Sequence, residues 1–472
     1  MIALRFAVIC AQLAYQTARS LAGQLLWLLR LPRQAGARRQ RVQGLWARCL
    51  TDFFRRLGPS FIKLGQILSA RHDLLPRAYI AELQTLQDRV PPFPFTEARR
   101  AIEEDLGQPI GELFRDLREE PVSAASIAQV HEGHLSAGEH VAVKVRRPRI
   151  ERTMRRDFAI LAFLARAVSL LPGIGNLRLP ELADELARAI LAQLDFPLEM
   201  RNNRRFAENF RDVPYVRVPE IYDACCGRRV ITMSFVAGGK LTEVLEHPPI
   251  DRQLMAERVV DMYLKMSFED FFIHADLHPG NLFVDADGSF VLLDTGLVAE
   301  VPERFVQKYF RLAMAIVLMD GELIADAFVA GQDLSEEQRR VALAEIEQLF
   351  ESYKGRSYFQ VEMSRLMLEI LGVVRRHRIH LDREWSSLVL SDITFEGIAK
   401  IIDRDIDIVA ALERKLPPYV LQLEFLSFDD PLVQKAVGIL IQRQHSVPVV
   451  FNLDQGASQP GAPPPSDIAA GE

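Results

Sequence analysis

A chain of 472 residues with 49% hydrophobic and 25% charged content is long enough for a two-lobed enzyme with helical additions. Its net charge of −6, without a basic stripe carrying interleaved aromatics, argues against nucleic acid as the main partner. Cys10, Cys49, Cys225 and Cys226 fit neither a disulfide framework nor zinc spacing, which suggests a reducing compartment.

The N-terminus concentrates positive charge: residues 1–56 hold ten arginines against Asp52 alone. Residues 2–31 are largely apolar, yet Arg5, Gln12 and Arg19 recur every seven residues with Gln16 between. That spacing draws a polar stripe along an apolar helix suited to lie in a membrane interface, because a mid-span arginine costs about 2.5–3.5 kcal/mol. Arg33, Arg38, Arg39 and Arg41 would then reach anionic lipid. The plainer reading is a helix packed on the body of the protein.

Further on, Pro121–His131 reads Pro-Val-Ser-Ala-Ala-Ser-Ile-Ala-Gln-Val-His and leads into His140-Val-Ala-Val-Lys144-Val. The apolar neighbours of Lys144 predict a buried strand, where an ammonium needs a phosphate or carboxylate partner. Glu199, in a helical pattern from about Leu179 to Phe210, is the expected carboxylate. No G-x-G-x-x-G precedes the strand; alanine does not take the positive φ of a glycine loop, so the loop at Ala124, Ala125, Ser126 and Ile127 should bind nucleotide differently and be stiffer.

His274-Ala-Asp276-Leu-His278-Pro-Gly-Asn281, followed by Asp294-Thr295-Gly296, supplies a carboxylate for the acceptor (Asp276) and two oxygen ligands for magnesium (Asn281, Asp294). Phe283–Leu293 reads as a hairpin turned at Asp287-Gly288. Pro279 and Gly280 interrupt any helix that would make His274 and His278 a metal pair, so these histidines should orient the loop. An isolated Asp-x-Gly is usually a turn and a strand lysine usually solvated; their order and spacing here favour a phosphoryl-transfer site.

After helical patterns from about 302 to 442, Gln455–Glu472 is rich in Gly, Ala, Pro and Ser and is expected to be disordered.

Leu57-Gly-Pro-Ser-Phe-Ile-Lys63-Leu-Gly65-Gln66, with Leu74-Leu-Pro76 after it, matches a K-x-G-Q signature helix. With the alanine-rich loop, Leu194-Asp195-Phe196 with Glu199 and Asn202 or Asn203, and the His274–Asn281 motif, the chain resembles the UbiB (AarF) family of atypical, protein-kinase-like proteins over residues 57–296. The resemblance implies an α+β, protein-kinase-like two-lobed fold that binds ATP and Mg2+. Lys144 would hold phosphates, Glu199 orient it, Asp276 act as catalytic aspartate, and Asn281 with Asp294 hold magnesium. Lys63 and Gln66 resemble lid residues that fold over the active site, which favours ATP hydrolysis or a small lipid-like acceptor over a peptide.

Three residues depart from the family. Gln193 stands where a Glu commonly pairs with the K-x-G-Q lysine, so Lys63 loses charge assistance that roughly doubles such a bond. Thr295 replaces the Phe of Asp-Phe-Gly, and Ala128 replaces a loop glycine. None removes a catalytic group. Many family members are said to end in membrane-spanning segments, whereas residues 416–442 are too charged to span.

The expected organisation is a basic amphipathic segment (1–44), a helical K-x-G-Q extension (45–107), an N-lobe (108–236), a mostly helical C-lobe (237–442) and a tail (443–472). The expected function is a Mg-ATP-dependent atypical kinase or ATPase supporting ubiquinone biosynthesis from the inner face of a membrane, peripheral and cytoplasmic. Its expected partners are lipid or prenyl-quinone intermediates and quinone-biosynthesis proteins. The alternatives are a small-molecule phosphotransferase and a non-catalytic lipid-binding scaffold.

Overall fold

The computed structural model describes residues 2–416 apart from 29–34, 72–73, 87–90, 171–178, 318–319, 330–333, 354–362, 378 and 380–382. The expected C-terminal tail and the stretch 417–442 therefore lie outside the described residues, as do the side chains of Arg33, Arg38, Arg39 and Arg41.

Four helices open the chain: α1 (Ile2–Leu28), α2 (Ala35–Leu57), α3 (Pro59–Ala70) and α4 (Arg77–Leu83). Gly58 takes φ +92°, a left-handed value open to glycine, and Pro59 starts α3, so the chain turns sharply between α2 and α3. Gly65 explains the glycine of the signature helix. A Cβ there would lie 2.3 Å from Leu86 Cδ1 and 2.8 Å from Phe54 Cδ2, so only glycine lets α3 approach this closely.

The α1 stripe faces the protein rather than a membrane surface. Arg5 donates to both carboxylate oxygens of the buried Asp157 at 2.8 Å and to the Leu57 carbonyl at 2.7 Å, and Arg19 pairs with Asp52. Gln16 and Ser20 are buried. A buried carboxylate requires a cation, and Asp157 thereby turns the arginine side of the helix inward. Leu4, Val8, Leu13, Tyr15 and Leu21 are left exposed.

Next come α5 (Phe95–Leu106), α6 (Ile110–Leu113), β1 (Phe114–Leu117), β2 (Ser123–Ala124), β3 (Ala128–Leu135), β4 (His140–Arg146), α7 (Ile150–Ser169), α8 (Leu179–Ala192), α9 (Phe196–Asn209), β5 (Val216–Arg217) and β6 (Val230–Ser234). β1, β3, β4 and β6 form a five-stranded sheet in that order, with β2 paired to β3. The inward faces of β3 and β4 alternate as a half-buried strand should, with Val141, Val143 and Val145 fully buried.

The single helical pattern expected from Leu179 to Phe210 is two helices. Asp195 caps α9 by accepting from the Leu198 amide at 3.1 Å, and Pro197 has no amide to continue α8. The break gives α9 its own direction, and Glu199 lies in its first turn.

The second half comprises β7 (Gly239–Lys240), α10 (Leu241–Val244), α11 (Arg252–Phe268), β8 (Phe272–His274), β9 (Leu282–Val284), β10 (Phe290–Leu292) and β11 (Val298–Glu300). Helices α12 (Glu303–Val317), α13 (Gly321–Val329), α14 (Glu336–Glu351), α15 (Met363–Arg376), α16 (Arg383–Ile402) and α17 (Ile408–Lys415) follow. One large core joins these helices to the short strands, with α11 at its centre. β9 and β10 form the expected antiparallel hairpin, and Gly288 takes φ +77° in its turn. β8 pairs with β11. Two loops are thus set side by side: residues 275–281 between β8 and β9, and residues 293–297 between β10 and β11. The architecture is α+β, with a small sheet lobe and a mostly helical lobe of the protein-kinase type. Among the described residues no helix is long and apolar enough to cross a membrane.

Candidate active site

Lys144 sits on the central strand β4, opposite Val130 on one side and Ile231 on the other. Its Nζ donates to Glu199 Oε1 at 2.6 Å and to Asp294 Oδ1 at 3.1 Å, and lies 5.4 Å from the centre of the Phe196 ring. Strand, helix α9 and the Asp-x-Gly loop therefore meet at one ammonium. Burial would lower the Lys144 pKa, but the Asp294 and Glu199 carboxylates outweigh it and hold it above its ordinary value. Burial, reinforced by Asp294, pushes Glu199 upward against the pull of Lys144.

Asp294 has φ +52°, a left-handed conformation that Asp tolerates better than most residues. Enclosure would raise its carboxyl, but Lys144 and then Lys63 hold it well below the usual range. Its side chain remains 43% exposed toward the cleft, so the cations decide its state.

The adjoining loop is held by its histidines. His274 Nδ1 accepts from the Asp276 amide at 3.2 Å, so Nε2 carries the proton and donates to the Leu293 carbonyl at 3.1 Å. Both ring nitrogens are engaged by backbone, and burial keeps the imidazole neutral. His278 Nδ1 accepts from the Gly280 amide at 3.0 Å. The orienting role expected of these residues is what the geometry supplies.

Asn281 Nδ2 donates to the Asp276 carbonyl at 2.9 Å, which leaves its amide oxygen for a cation. The Leu293 amide donates to the Asn281 carbonyl at 3.0 Å, and the Leu282–Leu292 register sets Asn281 beside the start of the Asp-x-Gly loop. The Asp276 carboxylate accepts no hydrogen bond from the described residues, so its lone pairs are available. An amide oxygen and a carboxylate are hard donors of the kind magnesium takes together with phosphate and water oxygens.

The alanine-rich loop is a closed turn in which Ala125 N donates to the Ala128 carbonyl at 2.8 Å. Arg147 fastens it, giving its Nε to the Ala125 carbonyl and its amide to the Ile127 carbonyl, each at 2.8 Å. Ala124 ends β2, Ser126 is buried, and Ile127 and Ala128 pack in the core beneath α3. The Ile127 side chain thus serves the core.

Lys63 on α3 is 9% exposed and Gln193, between α8 and α9, 7% exposed, and no hydrogen bond joins them among the described residues. The Lys63 charge acts on Asp294 instead. Gln66 donates to the Leu86 carbonyl at 3.1 Å, tying α3 to the turn after α4.

Three roles were absent from the sequence expectations. Thr295 is buried, donates its hydroxyl to the Glu199 carbonyl at 3.1 Å, and accepts at its own carbonyl from Asn202 Nδ2 at 2.9 Å. Polar ties to α9 thus replace an aromatic anchor. Gln129 brackets Phe93, accepting from its amide at 3.0 Å and donating to its carbonyl at 3.3 Å. His131 Nδ1 lies 2.8 Å from the Arg118 carbonyl and Nε2 2.8 Å from Gln129 Nε2, so Nδ1 donates and Nε2 accepts. The Gln-Val-His run could have flagged the last two, since alternate strand residues share a face.

Residues 85–328 match the ABC1 atypical kinase-like domain. A probable protein kinase UbiB of Shewanella baltica is 32% identical over 366 residues, 75% of this chain and 66% of that protein. The chloroplastic protein ACTIVITY OF BC1 COMPLEX KINASE 7 of Arabidopsis thaliana is 30% identical over 79% of this chain. The chain spans about half, 54%, of that relative's length. Among solved structures, the Rv3197–erythromycin complex of Mycobacterium tuberculosis aligns with a TM-score of 0.51 at 23% identity, covering 75% of this chain and 91% of that one, a likeness of fold. Sheet lysine, helical glutamate, His-x-Asp loop and Asp-x-Gly turn fall within one matched domain, and the chain belongs to the ABC1 atypical kinase-like family.

Proposed function

We propose that this chain binds Mg-ATP between the five-stranded sheet and the 275–281 loop and turns it over at a membrane surface, in support of prenyl-quinone biosynthesis. The observation that carries the reading is the Lys144 ammonium shared between Glu199 at 2.6 Å and Asp294 at 3.1 Å. Lys144, oriented by Glu199, presents its charge to the nucleotide phosphates. Asn281 and Asp294 offer oxygen donors to magnesium, which when bound neutralises the charge of the phosphates. Asp276 orients the incoming water or hydroxyl and accepts its proton. The alanine turn, fastened by Arg147, offers a stiff backbone on the phosphate side.

Helix α3 carries the buried Lys63 beside this site, which favours water or a small acceptor over a peptide. The quinone setting rests on the relative named UbiB and is carried by that likeness alone. The membrane setting rests on the outward apolar side of α1 together with Phe163, 59% exposed on α7, whose ring centre lies 6.0 Å from that of Phe6 on α1, edge to face. Magnesium-dependent ATP turnover, measured with and without anionic liposomes, tests both halves. Stimulation by lipid that disappears in Leu4→Asp/Val8→Asp, with basal turnover kept, is expected. Turnover indifferent to lipid in both proteins would remove the membrane half.

A further inference from the structure

A cleft of about 390 Å³ lies between the start of α4 and the α14–α15 pair, away from the Lys144 site. That volume is within the range of small-molecule sites. Leu75, Pro76, Leu349 and Leu368 give it apolar walls. Arg77, Arg375 and Arg376 line it against a single carboxylate, Glu369.

The charges are unevenly matched. Arg376 pairs with Glu345, and Arg77 reaches Glu369 only at 3.8 Å, while Glu369 also takes contacts from Arg365 at 3.4 Å and Tyr353 at 3.2 Å. Arg375 has no hydrogen-bond or ion-pair partner among the described residues.

Gly372 is a second, independent sign. It occupies the interior of α15, where glycine weakens a helix, and it lines the cleft. A Cβ there would meet only Arg376 Nη1, at 3.6 Å, an ordinary contact, so helix packing does not require glycine. What the missing side chain does is leave the cleft open.

We infer that this cleft binds an anionic amphiphile, a phosphate or carboxylate head on an aliphatic tail. The arginines take the head. The leucines and proline take the tail. A bare phosphate would leave the apolar walls wet, and a neutral lipid would make no use of the exposed Arg375 guanidinium at its rim. Because α4 packs on α2 and α3, an occupant also braces the Lys63-bearing extension against the helical lobe.

The test is direct binding to the full-length protein without nucleotide, so its outcome is separate from that of the ATP reading. Dodecyl phosphate, dodecanol and inorganic phosphate are titrated below micelle concentrations. Dodecyl phosphate is expected to bind at least tenfold more tightly than either part alone. Gly372→Leu, which fills space lining the cleft, and Arg375→Glu, which reverses the head site, should each weaken it at least tenfold without lowering the melting temperature. Equal affinity in both variants would overturn the site. Inorganic phosphate binding as tightly as dodecyl phosphate would overturn the amphiphile.

Discussion

Replacing Lys144 by Met leaves two carboxylates facing a site that has lost its ammonium. At an effective dielectric of about 20, charges about 4 Å apart interact by about 4 kcal/mol. Breaking one partner out of a buried pair costs about 3–5 kcal/mol. Most of that loss arises at Glu199, whose side chain is 6% exposed; Asp294 is 43% exposed and regains water. Lys144→Met is therefore expected to lose about 3–5 kcal/mol at pH 8 in urea unfolding. Glu199 has its pKa raised by burial even with Lys144 present. An acid raised in the fold stabilises below its unfolded value, about 4.3, and loses that contribution as pH rises. The deficit of the variant should thus be smaller at pH 5 than at pH 8. Lys144→Met/Glu199→Leu should recover more than half of it. A deficit below about 1 kcal/mol at pH 8, or one independent of pH, would refute the reasoning.

Gly65→Val should destabilise by about 1–3 kcal/mol through overpacking against Phe54 and Leu86, read as a lowered melting temperature; an unchanged melt would contradict the close approach of α3. His131 and His274 are held below their ordinary pKa by burial. A base with a lowered folded pKa gives stability that is present above its unfolded value, about 6.5, and lost as pH falls below it. His131→Gln/His274→Asn should flatten the fall of the urea midpoint between pH 7.5 and 5 relative to the parent, and an identical slope would count against buried neutral imidazoles. Thr295→Val should lower turnover while leaving the melting temperature within about 2 °C, because it cuts the tie to Glu199 but keeps the volume of the side chain; full activity would deny Thr295 any positioning role.

Much of the site was legible because its chemistry is local. The strand around Lys144, the Asp287-Gly288 hairpin and the loop-bound histidines each follow from turn residues or from alternation in a few neighbouring positions. Glu199 is legible by its type and helical setting, although the apolar period there suggests one helix where the structure has two. Asp195 and Pro197 were the signal for the break, and they were outweighed by an apolar period that continues across it. The facing of α1 was not legible: which side turns inward is decided by Asp157, 152 positions away. The Thr295–Glu199–Asn202 ties are likewise long-range hydrogen bonds that no spacing rule encodes. The sequence suggests a weakened Lys63–Gln193 pair, whereas the Lys63 charge bears on Asp294.

The central claim is tested most directly by magnesium-dependent ATP turnover in Asp294→Asn. Asparagine accepts the φ of +52° at this position, so the fold should survive, with a circular dichroism spectrum and melting curve like the parent's. The account predicts turnover reduced by roughly a hundredfold or more as the carboxylate donor is lost. Turnover equal to the parent's, in a protein that is equally folded, would contradict it.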